Sequence, residues 1–244
     1  MQFNSATFAV FMLIVLVLFW FFLNHPKRLN ARNSFILCVS YLFYGWWDWR
    51  FLSLIVISSG VDFAVGLKLG EKEKDRRQRK IWLGLSLLTN LGMLGAFKYF
   101  NFFLESADVA LQLFGLNAFD LRLQWILPVG ISFYTFQTLS YTIDIYRGQL
   151  KPVSNPISFF AFVAFFPQLV AGPIERAKLL LPQFENHHKF NEKEVKSGLL
   201  LVLWGLFKKI VIADRLALYV NEAYMLPGAD ISGPIAIAAV VFFT

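Results

Sequence analysis

One cysteine, three histidines and charged side chains at only 16% of 244 positions leave this sequence short of the residues from which most soluble catalysts are built. The lone cysteine, Cys38, excludes an intramolecular disulfide and a cysteine metal cluster, and its apolar surroundings suit simple helix packing. His25, His187 and His188 all fall in polar or charged stretches, so no histidine lies within an apolar run. HExxH, CxxC, a glycine-rich phosphate loop and a nucleophile elbow are all missing, which leaves metalloprotease, nucleotide-driven and soluble hydrolase readings without support. Residues 1–5 contain no Lys or Arg, so the first apolar run lacks the basic start of a cleavable signal and is expected to be retained. No internal repeat or low-complexity linker interrupts the chain. The net charge of +7 is carried by residues between apolar segments and not on one continuous basic face. That pattern excludes nucleic acid and points to lipid headgroups.

What the sequence does have is apolar surface, at 57% hydrophobic residues and a mean hydropathy of +0.55, beyond what one soluble core needs. The spans expected from this are Ala6 to Leu23, Phe51 to Leu67, Ile81 to Leu104, Trp125 to Tyr146 and Gly198 to Ala213, each near the roughly 20 residues that cross a bilayer. Ser34 to Trp47 is shorter and would span only with local thinning. The fold class is therefore all-α, a polytopic transmembrane helical protein. Trp46, Trp47 and Trp49 mark an interfacial belt where a helix ends, with a tight Asp48 to Arg50 turn after it. Lys27, Arg28 and Arg32, and then the run Lys68 to Lys80, place two loops on the cytoplasmic side and the N-terminus outside. Ser106 to Gly115 has the spacing of an amphipathic surface helix. Ile157 to Gly172 is too short for a plain crossing and is interrupted by Pro167, which suits a re-entrant or broken helix. If it is re-entrant, the polar stretch Pro173 to Lys196 is cytoplasmic; if it crosses, that stretch lies outside. The last apolar run, Gly233 to Thr244, would make only about 18 Å of helix at roughly 1.5 Å per residue, so the natural chain is expected to continue beyond it.

Ionisable groups inside apolar helices point to function because each is costly there unless paired or hydrated. Four stand out: Asp62, Lys98, Asp144 and Arg147. Asp144 and Arg147 sit at i,i+3, so a local ion pair fixing a helix end competes with a cavity role. Lys98 is expected to snorkel. The stripe Ser132, Thr135, Gln137, Thr138, Ser140, Tyr141 and Thr142 should face protein or a water-filled cavity. Phe165 to Arg176 puts irregular backbone at membrane depth, tolerated only when buried or lining a cavity. Intramembrane charge and a broken helix also mark transporters and channels, which is the alternative from the residues alone.

Two motifs narrow the choice. LPVGISFYTFQTLSYTIDIYR at Leu127 to Arg147 and FFPQLVAGPIER at Phe165 to Arg176 resemble the bacterial branch of the membrane-bound O-acyltransferase family, nearer its alginate-acetylating members than those acting in teichoic acid D-alanylation. SYLFYGWWDWRF at Ser40 to Phe51, FKYFNFF at Phe97 to Phe103 and LWGLFKKIVIADRLA at Leu203 to Ala217 extend the likeness along the chain. The resemblance implies that residues 1–244 form the N-terminal part of a single transmembrane acyltransferase domain in a bacterial inner membrane. It implies transfer of an acyl group, expected to be acetyl, from acetyl-CoA or another acyl thioester to a hydroxyl of an exported polysaccharide such as alginate, directly or through a periplasmic acetyltransferase partner. No bound cofactor and no metal are implied. The family's histidine base is expected beyond Thr244, which would leave this part inactive alone. Asp144, Tyr146, Arg147, Gln168, Gly172, Pro173, Glu175 and Arg176 are the residues the resemblance implies for the channel or site wall.

Overall fold

The computed structural model describes residues 3–71, 75–113, 128–169, 172 and 175–225, and every regular element among them is helical. Two compact units are present: residues 14–188, and a smaller one made of residues 2–13 with 189–244. Three helical stretches, Ala6–Leu23, Leu29–Gly70 and Arg76–Leu113, are long and apolar enough to cross a membrane. The first, α1 (Ala6–Leu18) extended by a π-helical turn over Phe19–Leu23, has no buried residue and is apolar on every side, as a lipid-facing helix requires.

α2 (Leu29–Asp48) has 20 residues and is long enough to span, which corrects the short segment expected from Ser34. The extra turn contains Arg32 and Asn33, whose polar side chains are buried because they find partners elsewhere in the fold. Asp48, extended at φ −160° and ψ 110°, turns the chain and accepts from the Arg50 amide, so the tight junction expected there is present. Trp46, Trp47 and Trp49 are exposed around it. Cys38 is also exposed, not packed against a neighbouring helix as expected.

α3 (Leu52–Gly70), α4 (Arg76–Leu94) and α6 (Ile131–Tyr146) pack on one another. Their side-chain bonds fix the register. Ser58 meets Asn90 and Asp62 meets Ser86, so α3 and α4 are antiparallel. Ser86 meets Thr142 and Asn90 meets Thr138, so α4 and α6 are antiparallel and α3 runs parallel to α6. The parallel pair approaches closely because Gly66 and Gly70, a small-xxx-small spacing, lie against Tyr141 and Pro152. A π-helical turn over Gly95–Tyr99 joins α4 to α5 (Phe100–Leu113) without a break, so Ser106 to Leu113 continues a long helix and is not a separate surface element.

α6 begins at Ile131, later than Trp125, because Pro128 and a left-handed Gly130 (φ 77°) precede it; residues 125–127 lie outside the described ones. It ends in a Schellman arrangement: Gly148 (φ 74°) donates to the Ile145 carbonyl at 3.0 Å and Gln149 to that of Asp144 at 2.8 Å. Asn155 then caps α7 (Pro156–Val163), with Pro156 at its first position.

α7 breaks at Ala164 and Phe165 before α8 (Phe166–Leu169). Pro167 explains the break, since it offers no N–H to the carbonyl four residues back, that of Val163, and its ring crowds it. The pair climbs beside α2: Asn155 bonds Asn30, Asn33 bonds Ser158, and the Phe166 amide donates to Ser40 Oγ at 3.2 Å. α9 (Ala177–Glu185) then returns to the start of α2, where Arg32 and Asn33 receive its last carbonyls. Both ends of this excursion therefore sit at the same end of α2, as a re-entrant segment would place them.

In the smaller unit, Asn191 caps α10 (Glu192–Phe207), a π-helical turn follows over Lys208–Ala213, and α11 (Asp214–Met225) continues it, with Lys209 paired to Asp214 across the junction. No residue of α10 is buried and Leu199 to Trp204 are all exposed, but the span expected from Gly198 to Ala213 is not among the stretches long and apolar enough to cross.

Candidate functional site

Four places in the larger unit carry polar chemistry. The first lies inside the α3–α4–α6 bundle. Asp62 is fully buried, with Oδ1 at 2.5 Å from Ser86 Oγ and Oδ2 accepting from Asn90 Nδ2 at 2.7 Å. Asn90 Oδ1 in turn accepts from Ser58 at 2.7 Å and Thr138 at 3.3 Å, and Ser86 lies 3.0 Å from Thr142. Sequence picked out Asp62, Thr138 and Thr142 but not Ser86 and Asn90; their i,i+4 spacing within an apolar helix is the signal that could have found them.

The second is the C-terminal end of α6. Asp144 is buried there, Tyr146 is half-buried and Arg147 is exposed. Among the described residues no ion pair joins Asp144 to Arg147, so the local pair that their spacing allows does not form. The helix end is held instead by Arg79 of α4. Its Nη2 donates to the carbonyls of Tyr146 at 2.8 Å and Ile145 at 3.3 Å, and its guanidinium lies 5.3 Å from the Tyr146 ring. A cation there meets the negative end of the helix dipole.

The third is the break in α7–α8 together with the turn leading to α9. Gln168 is buried in α8, and the Gly172 amide donates to its carbonyl at 3.1 Å. A Cβ on Gly172 would come within 2.7 Å of the Gln168 backbone, so this turn demands glycine. Glu175 is half-buried and Arg176, exposed, stands at the start of α9. Pro173 lies outside the described residues. Neither Glu175 nor Arg176 pairs with Asp144 or Arg147 among those residues, and α9 runs from Arg176 back toward the start of α2. The two sequence motifs thus line different levels of one unit.

The fourth is Arg32, 2% exposed, which sequence read only as a loop charge. It donates to the carbonyls of Asn186 at 2.8 Å, Phe184 at 3.0 Å and Gln183 at 3.2 Å, closing the C-terminus of α9. His187 and His188 lie beside it and are tied to backbone, His187 Nε2 to Asn24 at 3.2 Å and His188 Nε2 to Gln183 at 2.7 Å. Lys98 is exposed over Tyr99, near the limit of a bond to Ser132. No cluster of metal-binding side chains occurs among the described residues.

Proteins named probable alginate O-acetylase AlgI from Pseudomonas syringae pv. tomato and Pseudomonas aeruginosa are each 38% identical over 226 residues, or 93% of this chain and 42% of theirs. A peptidoglycan O-acetyltransferase from Helicobacter pylori is 33% identical over 91% of this chain and 46% of its own length. The chain spans less than half the length of these curated relatives. No protein-family model and no solved structure matches it. Identity of this extent, covering both long motifs and the helices that carry them, makes the chain a relative of proteins of the alginate O-acetylase type, consistent with the resemblance to the membrane-bound O-acyltransferase family that the motifs carry.

Proposed function

We propose that this chain forms the N-terminal helices of a bacterial inner-membrane O-acetyltransferase that moves acetyl from a thioester donor, acetyl-CoA being the simplest, to hydroxyls of an exported polysaccharide. The observation that carries the reading is the identity over 93% of the chain to proteins named alginate O-acetylases. The acetyltransferase names of the relatives weigh against a transporter.

The arrangement supports a division of labour. The starts of α2, α4 and α7 and the ends of α3, α6 and α9 gather at one end of the unit, with Arg28, Lys68, Arg76, Arg147 and Lys151 about them. By the positive-inside rule this end faces the cytoplasm, where a polyanionic thioester donor and anionic lipids are met. The broken helix reaches inward from there, and Gln168, Gly172, Pro173, Glu175 and Arg176 would wall the path toward the acceptor side. Asp144, Tyr146 and Arg147 would stand at the donor mouth. A neutral imidazole suits the general base for a sugar hydroxyl, but His187 and His188 are engaged with loop backbone. We place the base in the part of the relatives' length that this chain does not span. A periplasmic acetyltransferase partner would complete delivery to the polymer.

The test is a chimera in which this chain replaces the matching part of a full-length alginate O-acetylase, expressed in a strain lacking its own enzyme. O-acetyl ester on the exported polymer is expected from the chimera and none from this chain alone. A chimera made in normal amount that acetylates nothing would overturn the reading. In the active chimera, Asp144→Ala and Arg176→Ala should each lower acetylation sharply at constant protein level; unchanged transfer would remove them from the path.

A further inference from the structure

The Asp62 network contains more hydrogen bonds than an ionised carboxylate can supply with protons. Three contacts run in series from Oδ1: to Ser86 Oγ at 2.5 Å, from Ser86 Oγ to Thr142 Oγ1 at 3.0 Å, and from Thr142 Oγ1 to the Leu139 carbonyl at 3.1 Å. Two hydroxyls hold two hydrogens for these three contacts. Were Asp62 ionised, Ser86 would have to donate to it, and Thr142 would share one hydrogen between Ser86 and the Leu139 carbonyl, as Thr138 shares its own between Asn90 Oδ1 and the Thr135 carbonyl. A carboxylic acid gives each contact its own hydrogen: Asp62 donates to Ser86, Ser86 to Thr142 and Thr142 to Leu139.

The other carboxyl oxygen fits the same state. Oδ2 accepts from Asn90 Nδ2, whose second hydrogen goes to the Ser86 carbonyl at 3.0 Å. No Lys, Arg or His pairs with Asp62 among the described residues, although it is fully buried in a bundle whose α3 and α4 belong to stretches long and apolar enough to cross a membrane. An unpaired carboxylate there would be costly. A metal cation is disfavoured as the compensating charge because, among the described residues, no group of His, Cys, Asp or Glu side chains that could hold one includes Asp62.

We propose that Asp62 is a proton-binding site within the membrane, a neutral acid heading a directed chain of donors that ties α3, α4 and α6 together. The ligand is a proton and not sodium or another metal ion. This inference does not depend on the proposed acetyl transfer.

The experiment is infrared spectroscopy of the whole chain in lipid nanodiscs at neutral pH, in heavy water and with aspartate carbon-13 labelled at the side-chain carboxyl. The wild type should show an isotope-shifted carboxylic-acid C=O band that Asp62→Asn abolishes. Asp62→Asn presents an N–H donor and a carbonyl acceptor in the same places, so it should melt close to wild type. Ser86→Ala keeps the acid and removes its acceptor, so the band should persist and shift, which keeps the test open if Asp62→Asn does not fold. Carboxylate bands alone, or a band indifferent to both substitutions, would overturn the proposal. So would a melting temperature raised by sodium over potassium in the wild type and not in Asp62→Asn, which would make this a metal-cation site.

Discussion

Placing a single methyl group at Gly66 tests how tightly α3 and α6 are fitted. A Cβ there would lie 2.6 Å from Tyr141 Cε1, 2.7 Å from its hydroxyl oxygen and 2.9 Å from Cζ. Carbon contacts settle near 3.5–4.0 Å, so the ring or the helix would have to move by roughly 1 Å. The ring has no free direction. Tyr141 is fully buried, its centroid is 4.6 Å from that of Phe159, and its hydroxyl accepts from the Val153 amide at 3.1 Å. Overpacking of this kind costs about 1–3 kcal/mol, and losing the Val153 bond adds about 1 kcal/mol, so Gly66→Ala should destabilise by roughly 2–4 kcal/mol. Gly84→Ala is the control, since a Cβ there meets nothing within 4 Å. It should be neutral or stabilising by up to about 1 kcal/mol from helix propensity. The assay is thermal or denaturant unfolding of both variants in the same detergent. Equal stability of the two would refute the close approach of α3 to α6. So would a loss in Gly66→Ala that Tyr141→Ala, as a second substitution, fails to reduce, because the coupling must run through that ring.

Other substitutions probe single joints of the fold. Arg32→Ala would leave the carbonyls of Gln183, Phe184 and Asn186 without their donor and should cost roughly 2–4 kcal/mol, read as faster proteolysis after α9; Arg32→Lys should rescue little, because one ammonium cannot reproduce the guanidinium fork. Arg79→Ala should loosen the end of α6 by about 1–2 kcal/mol, seen as faster amide exchange from Tyr146 to Leu150, and unchanged exchange would refute its role as a cap. Ser40→Ala strips the Phe166 amide of its acceptor at the α7–α8 break and should cost about 1–3 kcal/mol in melting experiments, whereas Ser34→Ala, on a less buried turn of the same helix, should cost less than about 0.5 kcal/mol.

Where one residue carries its own local consequence, sequence was enough. Pro167 breaks the helix that contains it, and the break follows directly on Val163, the residue facing its missing N–H. The apolar run from Ala6 to Leu23 is a helix over that same span because nothing polar competes within it. Where a residue's meaning depends on a partner far along the chain, sequence misled. Arg32 follows Lys27 and Arg28 and so reads as one more loop charge, yet it is buried against carbonyls more than 150 residues away. That distant partnership is also what lets α2 begin at Leu29, a turn before the apolar pattern starts. Arg79 reads as part of a basic run and works as the cap of α6. Neither partner carries a side-chain signature, because both are backbone carbonyls.

The polar stripe of α6 shows how a motif can be recognised before its parts can be assigned. Read as a stripe, it suggested a single wet or hydrogen-bonded face. In the fold its members point to different neighbours: Gln137 donates to the Phe162 carbonyl of α7 at 3.1 Å, Thr138 and Thr142 join the α4 network, Ser140 bonds back to the Gln137 carbonyl, and Tyr141 holds the loop at Val153. These groups are committed to fastening one helix to its surroundings, which a membrane interior enforces by making any unpaired polar group costly. The Asp144 carboxylate and the Arg147 guanidinium, one turn further, have no hydrogen bond or ion pair with any described residue. Within this motif, then, Gln137 to Thr142 account for themselves structurally, while Tyr134 Oη and Thr135 Oγ1 are buried without a partner among the described residues. The C-terminal end of the helix is where Asp144 and Arg147 remain without a partner among the described residues, and that is where the proposed thioester donor would engage them.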